Sequence, residues 1–267
     1  MISNRVSLRQ TDKGTRELAG TNGETVTQGI DGLLERCQKY YEQGCRFAKW
    51  RAVIKIGPGA PTDNAIQQNA YTLARYASIS QQAGLVPIVE PETLVLDGDH
   101  DINVSAKVTQ DAISACYREL IRQNVLLEGT LLKPNMVLAG KGCANQPTID
   151  EIAHVTMRVL RNTVPPAVAG ITFLSGGMSE EQATLHLNAI NRVPGPKPWK
   201  VTFSYGRALQ ASCLKAWSGK KENVGALQKE LLQRAKANRD AANGAYGGDA
   251  PKGAAGDDSL YVENYKY

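Results

Sequence analysis

The sequence has few cysteines, few histidines and no long apolar run, and each shortage excludes a class of protein or site. Its five cysteines are scattered without CxxC spacing, which favours reduced thiols in a reducing compartment over a disulfide framework. The three histidines lack the spacing of metal ligands, which argues against a histidine-based metal site. No apolar run could span a bilayer, and the N-terminal ten residues lack the apolar centre of a signal peptide. We therefore expect a cytoplasmic protein that does not enter the membrane.

The charge is modest and dispersed. The 267 residues carry a net charge of +5, and 42% of them are hydrophobic, which suffices for one or two domains with a sizeable core. Apart from Lys220 and Lys221, the cations do not cluster, so we expect no nucleic-acid partner. The positive balance suits a small anionic ligand such as a phosphate ester.

Apolar strand-like runs alternate with amphipathic stretches along the chain, which predicts a parallel sheet with helical crossovers. We predict strands over residues 47–56, 85–89, 126–132, 168–174 and 200–205, with a remnant of a sixth around 6–9. We predict helices over residues 26–43, 65–82, 104–124, 148–162, 179–191 and 208–242, the last with a break near 218–219. Residues 243–258 are rich in Gly, Ala and Asp, which predicts a mobile segment.

Lys133 ends a short apolar run and immediately precedes Pro134. Proline disfavours helical backbone at the residue before it, so Lys133 should lie in extended backbone at the carboxyl end of a strand. Catalytic side chains of α/β barrels occupy that end, and a lysine amine can attack a carbonyl carbon. The alternative is a solvated lysine in a loop.

Two other predicted strands carry pairs of charged residues spaced by two. Lys49 and Arg51 share one face of the first strand, and Glu90 and Glu92 share a face at the end of the next. Imine chemistry needs a proton shuttle, and a glutamate with a raised pKa can supply it. The alternatives are exposed charges on an edge strand and carboxylates in a loop.

The last two predicted strands run into glycine turns. Ser175 and Gly176 open one turn, followed by a capping-box pattern at residues 179–182, and Gly206 and Arg207 end the other strand. Backbone N–H groups in such turns attract anions, and barrels commonly bind phosphate with the loops after their last two strands. Glycines in these positions could also serve the turns alone.

Seven strings along the chain match one family in order: LAGTNGET, FAKWR, GLVPIVEPE, LEGTLLKPNMV, GITFLSGG, FSYGRALQAS and LKAWSGKKEN. From residue 12 to residue 267, the chain resembles class I fructose-1,6-bisphosphate aldolase, the Schiff-base type. The resemblance implies a (β/α)8 TIM barrel over residues 1–242, a flexible tail over 243–267, and no cofactor. It implies reversible cleavage of fructose 1,6-bisphosphate to dihydroxyacetone phosphate and glyceraldehyde 3-phosphate. The family forms homotetramers, and its members bind cytoskeletal partners.

The resemblance also assigns the catalytic residues. It makes Lys133 the lysine that forms the iminium with substrate, and Glu90 the general acid and base. Lys49 lies beside the reacting carbon chain, and Glu92 is expected to position Lys133 or Lys49 by its charge. Tyr267 matches the terminal tyrosine of the family, which folds over the active site and aids proton transfer.

Phosphate binding follows from the same resemblance. Arg51 is expected to hold the phosphate far from the ketone. The phosphate nearest the ketone is expected to be held by Ser175, Gly176, Gly206 and Arg207.

Two departures from the family concern the N-terminal part. Gln10 stands where the family has a lysine, and the family's first strand, with an aspartate that assists carbon–carbon cleavage, has no counterpart. We therefore expect a barrel that lacks its first two to three βα units and cleaves its substrate poorly. A complete doubly wound domain is the alternative fold. A catalytically impaired remnant that binds phosphosugars or cytoskeletal proteins is the alternative function.

Overall fold

Six parallel strands form the main sheet, and their order across the sheet follows their order along the chain. The computed structural model describes residues 7–248, 252–263 and 265. The strands are β1 (Ser7–Gln10), β2 (Thr15–Glu17), β3 (Thr25–Thr27), β4 (Cys45–Ile54), β5 (Val86–Thr93), β6 (Leu131–Leu132), β7 (Gly170–Phe173) and β8 (Lys200–Phe203). The order in the main sheet is β1-β4-β5-β6-β7-β8, while β2 and β3 form a separate antiparallel pair.

The first five helices lie between strands of the main sheet along the chain, and the last two follow its final strand. They are α1 (Leu33–Glu42), α2 (Asp63–Gln82), α3 (Ile102–Arg122), α4 (Ile149–Thr163), α5 (Glu180–Arg192), α6 (Arg207–Trp217) and α7 (Val224–Ala242). Every pairing within the main sheet is parallel. The predicted α/β class with helical crossovers is therefore confirmed, and so is the break between the last two helices.

Capping residues set the starts of two helices that flank the phosphate-binding candidates. Thr148 and Glu151 form a reciprocal capping box at α4, and Ser179 and Gln182 form another at α5. Each box satisfies backbone N–H groups that have no partner within the helix, and such a cap contributes about 1 kcal/mol. The capping box predicted at residues 179–182 is confirmed.

Strand β4 separates an apolar face from a charged one. Trp50 is fully buried and stacks on Tyr76 of α2 with ring centroids 5.4 Å apart. The Tyr76 hydroxyl donates to the carbonyl of Ile88 on β5 at 3.2 Å. Alternation along the strand then sends Lys49 and Arg51 to the opposite face. Removing the indole would leave a large cavity and cost about 3–5 kcal/mol, so this contact holds the charged face in place.

The predicted helix over residues 26–43 is wrong in its first part. Strand β3 occupies its beginning, and α1 starts only at Leu33, after Gly29 and Gly32 with φ of 123° and 62°. Glycine readily adopts these left-handed conformations, which end the extended segment and turn the chain into the helix. The Thr27 hydroxyl donates to the Arg51 carbonyl at 2.7 Å, so the β2–β3 hairpin lies against the carboxyl end of β4.

The predicted strand over residues 126–132 is much shorter than expected. A 3-10 turn spans Leu127–Gly129, and β6 contains only Leu131 and Leu132. The Thr130 hydroxyl donates to the Leu127 carbonyl at 2.7 Å, and this local bond favours the turn over a strand. Lys133 nevertheless follows the strand directly, as predicted.

Within the described part of the chain, β1 and β8 lie at the two edges of the main sheet. The expectation that two to three βα units are missing stays a prediction, as does the domain boundary at residue 242. Among the described residues, no helix is both long and apolar enough to cross a membrane.

Candidate active site

Glu90 on β5 lies between Lys49 on β4 and Lys133, which directly follows β6. Its Oε1 is 3.0 Å from Lys133 Nζ, and its Oε2 is 2.6 Å from Lys49 Nζ. The backbone N–H of Lys133 donates to the carbonyl of Val89 on β5 at 2.8 Å, which brings the lysine beside the carboxylate. One carboxylate therefore faces two amines across a distance that a proton can cross.

Arg51 and Glu92 form a second buried ion pair next to the first. Arg51 Nε is 2.5 Å from Glu92 Oε2, and both side chains are less than 10% exposed. The register of β4 and β5 places Arg51 opposite Glu90 and Val53 opposite Glu92. Glu92 thus pairs with the arginine, whereas the sequence suggested that it would position the lysines.

Burial opposes charge at this centre. It raises the pKa of Glu90, an effect that the nearby ammonium groups of Lys133 and Lys49 counteract and that the charge of Glu92 reinforces. Burial likewise lowers the pKa of Lys49, and Glu90 opposes this effect. A carboxyl group with a raised pKa can both give and take a proton near neutral pH, so Glu90 fits the shuttle that imine chemistry needs.

A cavity of about 420 Å³ opens beside these residues, large enough for a small phosphorylated sugar. It is lined by Glu90, Glu92, Lys133, Leu174, Ser175, Gly176, Ser204, Gly206, Arg207, Gln210, Ala211, Leu214, Leu260 and Tyr265. The predicted catalytic and phosphate-binding residues therefore lie in one place, with Lys49 and Arg51 contacting the wall through the two glutamates. Tyr267 lies outside the described residues.

The loops after β7 and β8 meet at one side of the cavity. Ser175 is buried at the end of β7, Gly176 has φ of 57°, and Arg207 begins α6 directly after Gly206. The backbone N–H of Ser204 donates to the carbonyl of Phe173 at 2.9 Å, which joins the two loops. This side combines exposed turn N–H groups with a guanidinium, a combination that binds phosphate.

The C-terminal segment crosses the same cavity and contacts both arginines. Arg207 Nη1 donates to the Leu260 carbonyl at 2.5 Å, and Arg51 Nη2 donates to the Tyr265 carbonyl at 3.2 Å. The Tyr265 ring centroid lies 4.2 Å from Arg207 Cζ and 5.4 Å from Arg51 Cζ. No sequence pattern indicated these contacts, because they join residues far apart in the chain.

Buried polar contacts attach this segment to α5 and α6. Ser212 Oγ donates to Glu180 and accepts from the backbone N–H of Ala255 at 2.9 Å. The N–H of Glu181 donates to the carbonyl of Gly256 at 3.1 Å. At least part of the tail that was expected to be mobile is thus bound to the helices beside the cavity.

Asn135 is a structural residue of the site that the sequence did not indicate. It is buried, and its Oδ1 accepts from the Thr93 backbone N–H at 3.1 Å and from the Thr93 hydroxyl at 2.7 Å. These bonds tie the segment after Lys133 to the end of β5. In the sequence, only the position of Asn135 two residues after Lys133 could have indicated that it belongs to the site.

The histidines differ in their surroundings. His154 is exposed on α4, whereas His186 on α5 is buried. Burial lowers the pKa of His186 to about 4. In the described ranges, no three His, Cys, Asp or Glu side chains are grouped so that they could hold a metal ion.

The chain is similar to known proteins along nearly all of its length. A family model described as fructose-bisphosphate aldolase class-I matches residues 6–267. Over 256 residues, 96% of this chain, it is 60% identical to cytosolic fructose-bisphosphate aldolase 4 of Arabidopsis thaliana and 56% identical to human fructose-bisphosphate aldolase C. The chain spans 65% of the length of the plant relative and 70% of the human one.

A solved structure shows the same fold. Fructose-bisphosphate aldolase from Plasmodium falciparum, in complex with TRAP and a small-molecule inhibitor, superposes with a TM-score of 0.89 at 54% identity. The match covers 91% of this chain and 70% of that one. It confirms that the sheet and its helices are of the TIM-barrel type. The chain belongs to the class I fructose-bisphosphate aldolase family.

Proposed function

We propose that this chain catalyses the reversible cleavage of fructose 1,6-bisphosphate to dihydroxyacetone phosphate and glyceraldehyde 3-phosphate through a Schiff base on Lys133. The observation that carries the proposal is the placement of Glu90 between Lys133 and Lys49 at 3.0 and 2.6 Å. This arrangement joins a nucleophilic amine, a proton shuttle and a second cation in one buried centre. It favours an enzyme over the alternative of a phosphosugar-binding remnant.

The chemistry begins at the ketone carbon. Glu90 takes a proton from Lys133, and the free amine attacks the carbonyl carbon to form a carbinolamine. Glu90 then returns the proton to the hydroxyl, which leaves as water and produces the iminium. The Glu90 carboxylate next accepts the proton of the hydroxyl on carbon 4 as the bond between carbons 3 and 4 breaks. The electron pair of that bond moves to the iminium to form an enamine, and glyceraldehyde 3-phosphate departs as the aldehyde. The remaining enamine gains a proton, and water releases dihydroxyacetone phosphate from the lysine.

Lys49 acts as an ammonium group in this scheme. It lies on the opposite side of Glu90 from Lys133, so its charge stabilises the carboxylate whenever Glu90 has given up its proton. It is also placed to stabilise negative charge that develops on a substrate oxygen. Burial lowers its pKa, so keeping this group protonated depends on the carboxylates around it.

Two arginines bind the two phosphates. Arg207, with Ser175, Gly176 and Gly206, holds the phosphate nearest the ketone, and Arg51 holds the other. Both arginines contact the Tyr265 ring and backbone carbonyls of the C-terminal segment in the described structure. Substrate phosphates therefore exchange with Leu260 and Tyr265 for the same guanidinium groups.

Location and assembly belong to the same proposal. The plant relatives carry the word cytosolic in their names, and we place this chain in the cytoplasm. Assembly into a homotetramer and a cytoskeletal partner stay predictions. The Plasmodium aldolase was solved with TRAP as its partner, which is a property of that protein. Native mass spectrometry of the purified chain would test the tetramer.

Borohydride trapping tests the chemistry. With dihydroxyacetone phosphate and borohydride, we expect one covalent adduct per chain, and peptide mapping should place it on Lys133. The variant Lys133→Arg keeps the positive charge but cannot form an imine, so it should show no adduct. The matched variant Lys107→Arg changes an exposed lysine and should label normally.

The trapping experiment also separates the two aldolase chemistries. An imine mechanism needs no divalent metal, so EDTA should leave the adduct and the cleavage rate unchanged. An adduct on a different lysine, or labelling that persists in Lys133→Arg, would refute the assignment.

A further inference from the structure

Besides Glu90 and Glu92, Asp12 places a third carboxylate at the edge of the site. The proposed mechanism does not use it. Asp12 follows β1 at its carboxyl end and is partly buried. Its Oδ1 accepts from the Gly14 backbone N–H at 3.2 Å and from Gln10 Nε2 at 3.1 Å. Its Oδ2 accepts from the backbone N–H of Arg51 at 3.4 Å. These contacts hold both oxygens in a fixed direction.

The pairing of β1 with β4 brings the Asp12 carboxylate beside the segment of β4 that carries Lys49 and Arg51. The register of β1 and β4 places Gln10 opposite Lys49, and the N–H of Thr11 donates to the Lys49 carbonyl at 2.9 Å. Asp12 is the next residue, and its bond to Arg51 puts it across from the β4 segment that carries both cations. It therefore lies close enough to Lys49 for its charge to act on that amine.

The charges facing Lys49 change during the reaction. From β5 it faces Glu90, from the segment after β6 it faces Lys133, and from the segment after β1 it faces Asp12. On its own strand, Arg51 is paired with Glu92. When Glu90 holds the transferred proton, it no longer offsets the charge of Lys49, and the remaining carboxylate facing that ammonium among these groups is Asp12.

We propose that Asp12 is a positioning residue that keeps Lys49 protonated while Glu90 carries the proton. This inference rests on the proposed function, since it concerns the same proton shuttle. The electrostatic effect has the required direction: burial lowers the pKa of Lys49, Glu90 and Asp12 raise it, and Lys133 lowers it. The hydrogen bond to Gly14 also gives Asp12 a simple role in the turn, so an experiment must separate charge from geometry.

Replacing Asp12 by asparagine separates the two roles. Asp12→Asn keeps an oxygen that can accept from Gly14 and Gln10 but removes the negative charge. Without that charge Lys49 loses its proton at a lower pH, so the alkaline limb of the kcat profile for fructose 1,6-bisphosphate cleavage should move down by about 0.5–1 pH unit. The KM measured near pH 7 should change less than about twofold, since Asp12 holds no phosphate.

Two further variants test whether the shift of the alkaline limb comes from the charge of Asp12. Asp101 also accepts backbone hydrogen bonds, from Asn103 and Val104 at the start of α3, and Asp101→Asn should leave the pH profile unchanged. Asp12→Ala removes charge and turn together, so it should move the alkaline limb as far as Asp12→Asn does while lowering the melting temperature further. If Asp12 served only the turn, the alkaline limb of Asp12→Asn would coincide with that of the unaltered chain.

Trapping on Lys133 distinguishes the failure of this inference from that of the mechanism. If the unaltered chain shows no adduct with dihydroxyacetone phosphate and borohydride, the proposed function fails and this inference with it. If the adduct forms in the unaltered chain and in Asp12→Asn, and the alkaline limbs of the two coincide, only the role of Asp12 is refuted.

Discussion

Replacing Arg207 by alanine tests the phosphate site most directly. The guanidinium begins α6 beside the turn at Gly176 and lines the cavity that contains Lys133. In the described structure it donates to the Leu260 carbonyl and lies 4.2 Å from the Tyr265 ring centroid. We expect Arg207→Ala to weaken the binding of dihydroxyacetone phosphate, because no other arginine or lysine lines this side of the described cavity apart from Lys133 itself.

The size of the loss follows from two opposing contributions. A bidentate, charge-assisted pair of hydrogen bonds to phosphate contributes about 2–4 kcal/mol. Ligand binding also breaks the contacts of Arg207 with Leu260 and Tyr265, and breaking them costs about 0.5–1 kcal/mol. The variant lacks these contacts and does not bear that cost. The net loss is therefore about 1–3.5 kcal/mol, or a dissociation constant raised about 5- to 400-fold.

Isothermal titration with dihydroxyacetone phosphate at fixed ionic strength measures this change. Lys215→Ala is the matched control, since Lys215 is an exposed cation on the same helix that pairs with Asp258, and its removal should change affinity less than about threefold. Arg207→Lys should fall between, because an ammonium group keeps the charge without the planar fork. Equal affinity in Arg207→Ala and the unaltered chain would show that the loops after β7 and β8 do not form the phosphate site.

Two further predictions concern the tail and the buried histidine. Tyr265→Ala should tighten the binding of inorganic phosphate about 3- to 10-fold, because the ring no longer competes for the guanidinium groups. Tyr265→Phe keeps a ring and should bind phosphate like the unaltered chain. Weaker binding in Tyr265→Ala would contradict this competition. Burial lowers the pKa of His186 from 6.5 to about 4, so between these values the unfolded chain takes up a proton that the folded chain does not, and stability falls as the pH falls. At pH 5, His186→Gln should avoid about 2 kcal/mol of this loss in the free energy of unfolding. Its melting temperature should therefore fall less between pH 7.5 and pH 5 than that of the unaltered chain. An equal fall in the two proteins would refute the prediction.

The charged centre was predictable because strands repeat with a period of two. Lys49 and Arg51 share a face, as do Glu90 and Glu92, so their presence on neighbouring parallel strands implied that they would meet. Pro134 similarly indicated that Lys133 would end a strand, although β6 itself proved to be only two residues long. Local rules of backbone geometry sufficed for these positions.

Partner choice within that centre was not predictable. Alternation along a strand says which face a side chain occupies but not which of several neighbours it contacts. Glu92 pairs with Arg51, and both lysines share Glu90. The stagger of adjacent strands decides this outcome, since the register places Arg51 opposite Glu90 yet leaves its side chain within reach of Glu92. Sequence alone does not specify that stagger.

The glycine turn after β7 was expected from the sequence, but it also contacts the C-terminal segment, which was not expected. The glycines were expected to admit a phosphate, but Gly177, with φ of 99°, also lies against the tail: a Cβ atom there would be 2.9 Å from Tyr261 Cα. A side chain at this position would push the tail backbone away from the mouth of the cavity. We therefore expect this turn to accommodate the substrate phosphate on one side and the C-terminal segment on the other. Because Leu260 and Tyr265 also contact the two arginines that we propose bind phosphate, we expect the position of the tail and the occupancy of the site to be coupled through this one turn and two guanidinium groups.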